Sequence, residues 1–278
     1  TLFRSAVSYA RLESVTITNV GSAVFATSGF LAKEVAIVGC RRGFVFAFAA
    51  GVRLERVSTT GVPRPILGGG PLSDVVVTES EFRLCPDVGG VAFTTDVSGV
   101  VLEESRFVDC GLQLALSSSG QALDVAFEGA AAFVQLDDFS RLGLSRCTFG
   151  QAPINLSVNG SSHVSGRDNV FLGGTVSTLR FTGNSTSSLA NSHIFSIEGS
   201  PVVVAEAYRV EPVQIDLRGN WWGTTNADSL RAWIVDGEDL DNPPFYEEMG
   251  EVLFEPFAPG PVSGKAESIG SFKARFRN

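Results

Sequence analysis

The two histidines of the chain, His163 and His193, are its clearest candidates for metal binding and for proton transfer near neutral pH. A protein metal site usually needs three or more ligands in a fixed geometry. The two histidines lie more than one repeat apart and in different phases of a repeat that runs along the chain. We therefore predict no metal site.

Four cysteines are the other reactive side chains: Cys40, Cys85, Cys110 and Cys147. They are few for a disulfide scaffold of this size. No pair has the C-x-x-C spacing, which argues against a zinc knuckle.

The overall composition narrows the possible partners. The chain has 278 residues, 30 of them acidic and 21 basic, and the net charge of −9 argues against nucleic-acid binding. Its longest apolar run, 43–52, is too short to cross a bilayer. Thirty glycines and 21 phenylalanines favour many short strands joined by tight corners. Because the chain begins at Thr1 without an initiator Met, we expect an upstream segment to be missing, so a signal peptide would not be observable.

An internal repeat is the main signal in the sequence. The phrase at 104–111, centred on Phe107, has counterparts in both directions at intervals of 20–27 residues. A large apolar residue recurs at one position of each unit, which we call the anchor column: Ile17, Ile37, Val57, Phe82, Phe107, Phe127, Phe149, Phe171, Phe195 and Trp222. We predict that this column is buried.

The repeat predicts an all-β parallel β-helix of about ten coils. Apolar residues alternate with period two, and Gly, Asn and Ser interrupt them every few residues, which excludes helices. The period is too short for a propeller blade, and the leucine-rich phrase is absent. Units of two or three short strands stacked at ~4.8 Å would share one continuous interior.

Two corners of the coil carry stacked residues. Cys40, Cys85 and Cys110 each follow an anchor by three positions, and the last two lie on adjacent coils, ~5 Å apart at Cα, which permits a disulfide. Stacking of small buried side chains without a bond is the alternative, and the one we expect. His193 shares a corner position with Asn169 and Asn220 in this alignment, so we expect it to join a ladder of stacked polar side chains.

A polar stripe is the best candidate for a binding surface. The strand after the second corner alternates, and stacking would align its outward positions into a row able to hydrogen-bond the hydroxyls of an extended glycan. These positions are Gln113, Gln135, Asn155, Ser157, Thr178 and Arg180. An ordinary solvated face is the alternative, favoured by the scarcity of Trp and Tyr in these coils.

The phrase Ile-Asp-Leu-Arg-Gly-Asn-Trp-Trp-Gly-Thr at 215–224 resembles the last coil of right-handed parallel β-helix proteins, the pectin-lyase-like superfamily. The short segment 228–235, the acidic turn 236–241 and the phrase at 250–257 add to this resemblance. It implies a right-handed single-stranded parallel β-helix with a short C-terminal cap. It also implies a secreted or cell-surface protein of bacteria or archaea, but no particular reaction.

Enzymes of that superfamily provide a test for catalytic residues. Its polygalacturonase-type hydrolases carry Asn-Thr-Asp, Asp-Asp, Gly-His-Gly and Arg-Ile-Lys on successive coils, and only Asp137-Asp138 matches a part of this set. Its lyases abstract a proton with Arg or Lys, often with calcium bound. The chain has only three lysines: Lys33, Lys265 and Lys273. We predict no cofactor, with calcium implied only by a lyase.

The C-terminal part of the repeat region needs a closing element, since a last coil exposes unpaired backbone groups. Asn226 or Asp228 can cap a short amphipathic helix that carries Leu230, Trp233 and Ile234 on one side. Such a helix would cover the end of the core.

These observations predict a β-helix at 1–222, a capping segment at 223–257, and a linker with a basic tail at 258–278. Two hypotheses for function remain. The first is a non-catalytic module of a larger secreted or cell-surface protein, acting as a rigid spacer or as an adhesive, glycan-contacting face toward an extracellular polysaccharide or cell-surface component. The alternative is a polysaccharide lyase or glycoside hydrolase whose essential residues lie partly upstream.

Overall fold

The computed structural model describes residues 3–5, 9–26, 29–69, 72–85, 90–93, 97–150, 152–197, 199–207, 215–236 and 251–262. Most of them lie in short parallel strands in which buried and solvent-facing side chains alternate. The end of the expected tail, with Lys265 and Lys273, lies outside the described residues.

The strands between residues 3 and 114 are β1 (Phe3–Ser5), β2 (Tyr9–Thr18), β3 (Ser22–Ala26), β4 (Gly29–Val38), β5 (Arg42–Ala47), β6 (Ala50–Glu55), β7 (Ser58–Thr60), β8 (Arg64–Gly69), β9 (Leu72–Thr78), β10 (Glu81–Arg83), β11 (Val91–Phe93), β12 (Val97–Glu103), β13 (Arg106–Val108) and β14 (Leu112–Leu114). The remaining elements are β15 (Ser119–Leu123), β16 (Ala126–Glu128), β17 (Val134–Leu136), β18 (Arg141–Ser145), β19 (Thr148–Phe149), β20 (Ile154–Val158), β21 (His163–Arg167), β22 (Val170–Phe171), β23 (Ser177–Gly183), β24 (Thr186–Ala190), β25 (His193–Ile194), β26 (Val203–Ala207), β27 (Ile215–Asp216), α1 (Ala227–Trp233), β28 (Ile234–Val235) and β29 (Val252–Leu253).

The strands form two long parallel sheets that enclose one core. Among the described residues sheet A has 11 strands, one from each complete or partial coil, and sheet B has 18, because most coils contribute two strands to it. A complete coil therefore has three sides, as in the succession β12, β13 and β14. The predicted all-β parallel β-helix is confirmed. The expected count of about ten coils is slightly too high. Coils that have all three strands run from β6–β8 to β24–β26, and the coils at the two ends have fewer strands.

The anchor column is the centre of the core. Phe82, Phe107, Phe127, Phe149 and Phe171 are fully buried, with consecutive ring centroids 4.5–5.1 Å apart, and the rings from Phe107 to Phe171 stack. Such stacking of identical side chains holds neighbouring coils in one register.

Two members of the predicted anchor column are wrong. Ile37 pairs with Thr59 on the next coil, so the column passes through Thr59, and Val57 is buried in a neighbouring column. Further along, Phe171 pairs with Ile194, whereas Phe195 is half-buried on the outer side of the sheet.

A ladder of polar side chains fills the corner between the two strands of sheet B. Its side-chain oxygens accept hydrogen bonds from backbone N–H groups one coil earlier, as Asn169 does from Cys147 at 2.9 Å and Asn220 does from Ser192 at 2.8 Å. Ser192, and not His193, occupies this ladder, so the expected position of His193 is wrong. A buried ladder satisfies backbone groups that the corner removes from the sheets.

The residue just before this ladder lies at the surface in left-handed conformation on nine coils, with φ between 47° and 60°: Ser14, Glu34, Arg56, Glu79, Glu104, Asp124, Arg146, Asp168 and Asn191. Several of their side chains form ion pairs along the solenoid. Arg56 pairs with Glu34 at 2.9 Å and Arg146 with Asp124 at 2.6 Å.

Cys85 and Cys110 form a disulfide between adjacent coils, with their Cα atoms 4.8 Å apart. The expectation of unbonded stacking is therefore wrong for this pair. Gly90 lies against the bridge, and a Cβ at that position would come within 2.5 Å of the Cys85 Cβ. Cys40 and Cys147 are free and buried.

The segment after Trp222 begins with the predicted helix. The Asn226 side chain accepts hydrogen bonds from the N–H groups of Asp228 and Ser229, which makes Asn226 the N-cap of α1. Leu230 is buried, and Ile234 begins β28 rather than extending the helix. The following β28 and β29 pair with β26 and β27, so the segment also adds strands to both sheets.

Candidate functional site

Four side chains in sheet A form a row across adjacent coils. Gln113 in β14 faces Gln135 in β17, which faces Ser157 in β20, which faces Arg180 in β23. All four are half-buried, while the residues that alternate with them point into the core. The spacing in the sequence predicts this row because equivalent positions of successive coils stack.

A second row lies two residues further along each strand, where sheet A ends and the chain turns. We call the two rows together the polar face, and it consists of Gln113, Gln135, Asp137, Ser157, Asn159, Arg180, Thr182 and Glu206.

The carboxylate of Asp137 joins three amide side chains of the polar face. It accepts hydrogen bonds from Gln113 Nε2 at 3.0 Å, from Gln135 Nε2 at 2.8 and 3.0 Å, and from Asn159 Nδ2 at 2.8 Å. Hydrogen bonds to a charged acceptor are the stronger ones. Asp137 therefore fixes the orientation of amides on three consecutive coils.

Asn159 extends the network by one coil. Its Oδ1 accepts hydrogen bonds from Ser157 Oγ at 3.1 Å and from Thr182 Oγ1 at 2.9 Å. The amide is thus held at both ends, with its nitrogen toward Asp137 and its oxygen toward two hydroxyls. The result is one connected set of hydrogen bonds from Gln113 to Thr182.

An ion pair ends the polar face. The Arg180 guanidinium contacts the Glu206 carboxylate at 2.7 Å, with both side chains partly exposed. The pair joins neighbouring coils. It also neutralises Arg180, which is the only cation of the polar face.

Aromatic side chains flank the polar face on both sides. The ring of Phe133, two residues before Gln135, lies over Gly111, where a Cβ would come within 3.1 Å of it. Phe139, two residues after Asp137, is 65% exposed. Leu116, on the preceding coil, is exposed as well. These rings are phenylalanines rather than Trp or Tyr, and the position of Phe139 directly after the Asp-Asp pair is the signal in the sequence that could have indicated one of them.

Two residues of the predicted stripe do not reach the surface. Asn155 is buried and donates to the Gly150 carbonyl at 2.5 Å, and Thr178 is buried and donates to the Phe195 carbonyl at 2.9 Å. Both residues lie at the start of a strand of sheet A, directly after the corner, and their side chains satisfy backbone groups of the turn. The expectation that they point outward is wrong.

Asp137 and Asp138 have different environments. Asp137 is the centre of the amide network, whereas Asp138 is exposed at the turn, with a φ of 50°. A carboxylate that accepts from three amides is a fixed hydrogen-bond acceptor, and general acid catalysis would need it to carry a proton instead. We assign Asp137 an organising role.

The histidines lie apart from the polar face and from each other. His163 Nδ1 lies 2.7 Å from Thr186 Oγ1 on sheet B, and burial together with the nearby charge of Arg141 lowers the pKa of His163. His193 Nε2 lies 3.2 Å from the Val262 carbonyl. Among the described residues no group of three His, Cys, Asp or Glu side chains could share a metal ion. Lys33 lies in β4, on sheet B.

A shallow groove of about 480 Å³, which was not predicted from the sequence, runs across the outside of sheet B. Its floor consists of small side chains at equivalent positions of successive coils, Gly143, Ser165 and Ser188, next to Gln121. The recurrence of small residues at 22- or 23-residue spacing is the signal that could have indicated it.

The single helix in the described part of the chain is far too short to cross a membrane. No protein-family model matches the chain, and no curated protein and no solved structure matches it. The similarity to the pectin-lyase-like superfamily therefore stays a prediction, and the polar face has to be interpreted from its own side chains.

Proposed function

We propose that this chain is a non-catalytic β-helix module of a larger secreted or cell-surface protein, and that its polar face binds an extended glycan. The observation that carries the proposal is the connected hydrogen-bond network around Asp137. It holds donors and acceptors in fixed positions across four coils, and fixed polar groups lose little entropy on binding.

The aromatic residues beside the polar face support the same proposal. Phe133 and Phe139 flank Gln135 and Asp137 on one coil, so a sugar chain lying along that coil would meet a ring at each end of the polar groups. The exposed ring of Phe139 and the half-buried ring of Phe133 offer rigid apolar area for contact with the C–H faces of sugars.

The disulfide supports the proposed location. Structural disulfides persist in oxidising compartments and are rare in the cytosol. A Cys85–Cys110 bridge between adjacent coils suits a protein that works outside the cell. The stacked coils would serve at the same time as a rigid spacer.

Affinity electrophoresis of the whole chain through gels that contain different polysaccharides tests the proposal. We expect retardation by at least one polymer, and we expect a Gln113→Ala, Gln135→Ala double variant to lose it. Gln121→Ala is the matched control, since Gln121 is an exposed glutamine on sheet B.

Retardation that persists in the double variant and disappears in the control would move the site to the groove on sheet B. Release of shortened oligosaccharides by the whole chain would contradict the non-catalytic part of the proposal and favour the lyase or hydrolase alternative.

A further inference from the structure

We propose that the polar face selects neutral glycans and rejects uronate-rich ones. This inference rests on the proposed glycan-binding function, and it adds the chemical class of the ligand. It follows from the hydrogen-bonding state of the two glutamines and from the charge around them.

The glutamines present acceptors to a ligand. Both Nε2 groups donate to Asp137, which turns the amides so that their nitrogens face the carboxylate. The Oε1 atoms of Gln113 and Gln135 have no hydrogen-bond partner among the described residues, and both side chains are partly exposed. Asp138, exposed at the turn beside them, adds another acceptor. A ligand that brings donors would therefore satisfy these oxygens.

Sugar hydroxyls meet this requirement and uronate carboxylates do not. A hydroxyl donates one hydrogen bond, whereas an ionised carboxylate can only accept. A carboxylate placed opposite Gln113 and Gln135 would face two amide oxygens and lose its hydration without compensation.

The charge of the site acts in the same direction. Asp137, Asp138 and Glu206 contribute three negative charges and Arg180 one positive charge, which leaves −2. The nearest other cation along the chain, Arg141, begins β18 on the far side of the corner, in sheet B. A polyanion would approach against this field, on a chain whose net charge is already −9.

Glu206 competes with an anionic ligand for Arg180. Arg180 could form a bidentate contact with a uronate carboxylate, but its guanidinium is paired with Glu206 at 2.7 Å. A uronate that bound through the same guanidinium nitrogen, Nη2, would have to displace Glu206 and leave that carboxylate unpaired beside it. Substitution of Glu206 should therefore free Arg180 for anionic sugars.

Affinity electrophoresis with neutral polymers (a mixed-linkage β-glucan, a galactan and a xylan backbone) and with uronate polymers (polygalacturonate and alginate) tests this selection. We expect a neutral polymer to retard the wild-type chain strongly and both uronates to retard it only weakly. Glu206→Gln should strengthen uronate binding about two- to fivefold, the range that follows from the energy of an exposed ion pair. Its binding to the neutral polymer should stay unchanged.

Glu34→Gln is the matched control, since Glu34 forms an ion pair of the same type with Arg56 at the corner of sheet B. It should leave binding to both classes of polymer unchanged. Retardation by uronates alone, or a Glu206→Gln variant with no gain for uronates, would overturn the selectivity and leave a glycan-binding face. Retardation by no polymer at all would overturn the proposed function itself.

Discussion

Phe127 and Phe149 occupy the same position on adjacent coils, with their ring centroids 5.0 Å apart and their ring planes inclined by only 13°. Both are fully buried. The backbone hydrogen bonds between β16 and β19 set the spacing of the rings, and ring stacking in turn favours this register over a shifted one. The core of the solenoid is thus a continuous column rather than a set of separate clusters.

This column makes Phe149 a sensitive position. Phe149→Ala should lower the free energy of unfolding by ~3–5 kcal/mol, because it removes a buried ring from the middle of the stack and leaves a cavity. Phe139→Ala removes the same group from a surface turn and should change stability by no more than about 0.5 kcal/mol. Urea denaturation of the two variants measures the difference. Equal losses in both would contradict the buried placement of Phe149.

The repeat was enough to predict the class of fold and most of the core. It failed at Thr59 and Ile194 for physical reasons. Thr59 is a polar residue at an apolar position, so a search for large apolar side chains moved to Val57, two positions away on the same face. In the later coil the large ring of Phe195 matches the anchor pattern, although Ile194, one position earlier, is the residue that points into the core.

The site could be predicted in part. Stacking of equivalent positions places Gln113, Gln135, Ser157 and Arg180 in a row, and sequence spacing is sufficient for that. The hydrogen bonds to Asp137 could not be predicted, because they depend on the direction that side chains take at the turn. The burial of Asn155 depends likewise on where the corner ends, and corners are less regular than strands.

The disulfide should contribute measurably to stability. It joins residues 25 positions apart, and a closed loop of that size is expected to stabilise the folded state by ~3 kcal/mol. A Cys85→Ala, Cys110→Ala double variant should therefore melt at a lower temperature than the wild type under oxidising conditions.

The effect of a reductant provides the control. Dithiothreitol should lower the melting temperature of the wild type toward that of the double variant, whose own melting temperature should not respond. An unchanged wild type would mean that the bridge is absent in solution or makes no contribution.

Two thiols should be inert in the folded protein. Burial raises the pKa of Cys147 to about 12, so its reactive thiolate is scarcely populated at pH 8.5, and Cys40 is buried as well. Iodoacetamide at pH 8.5 should modify neither cysteine in buffer and both in concentrated urea, as mass spectrometry would show. Rapid modification in buffer would indicate that these coils open frequently.

The C-terminal segment closes the solenoid in two ways. Trp233, Phe254 and Phe257 pack against the core, and the helix pattern in the sequence predicts this for Trp233. In addition, β28 covers the edge of β26 and β29 covers the edge of β27. Packing and strand pairing together protect the last coil.

Deletion of 223–278 should therefore expose both an apolar surface and two unpaired strand edges. Exposed edges are templates for pairing with other chains, so we expect soluble oligomers or aggregates. Deletion of 259–278 alone leaves α1, β28 and β29 in place and should leave the oligomeric state and the melting temperature nearly unchanged. Light scattering and thermal melts of the two truncations separate these cases. A longer truncation that stayed monomeric and equally stable would show that the segment is not a cap, and its aromatic residues would then be candidates for binding a partner.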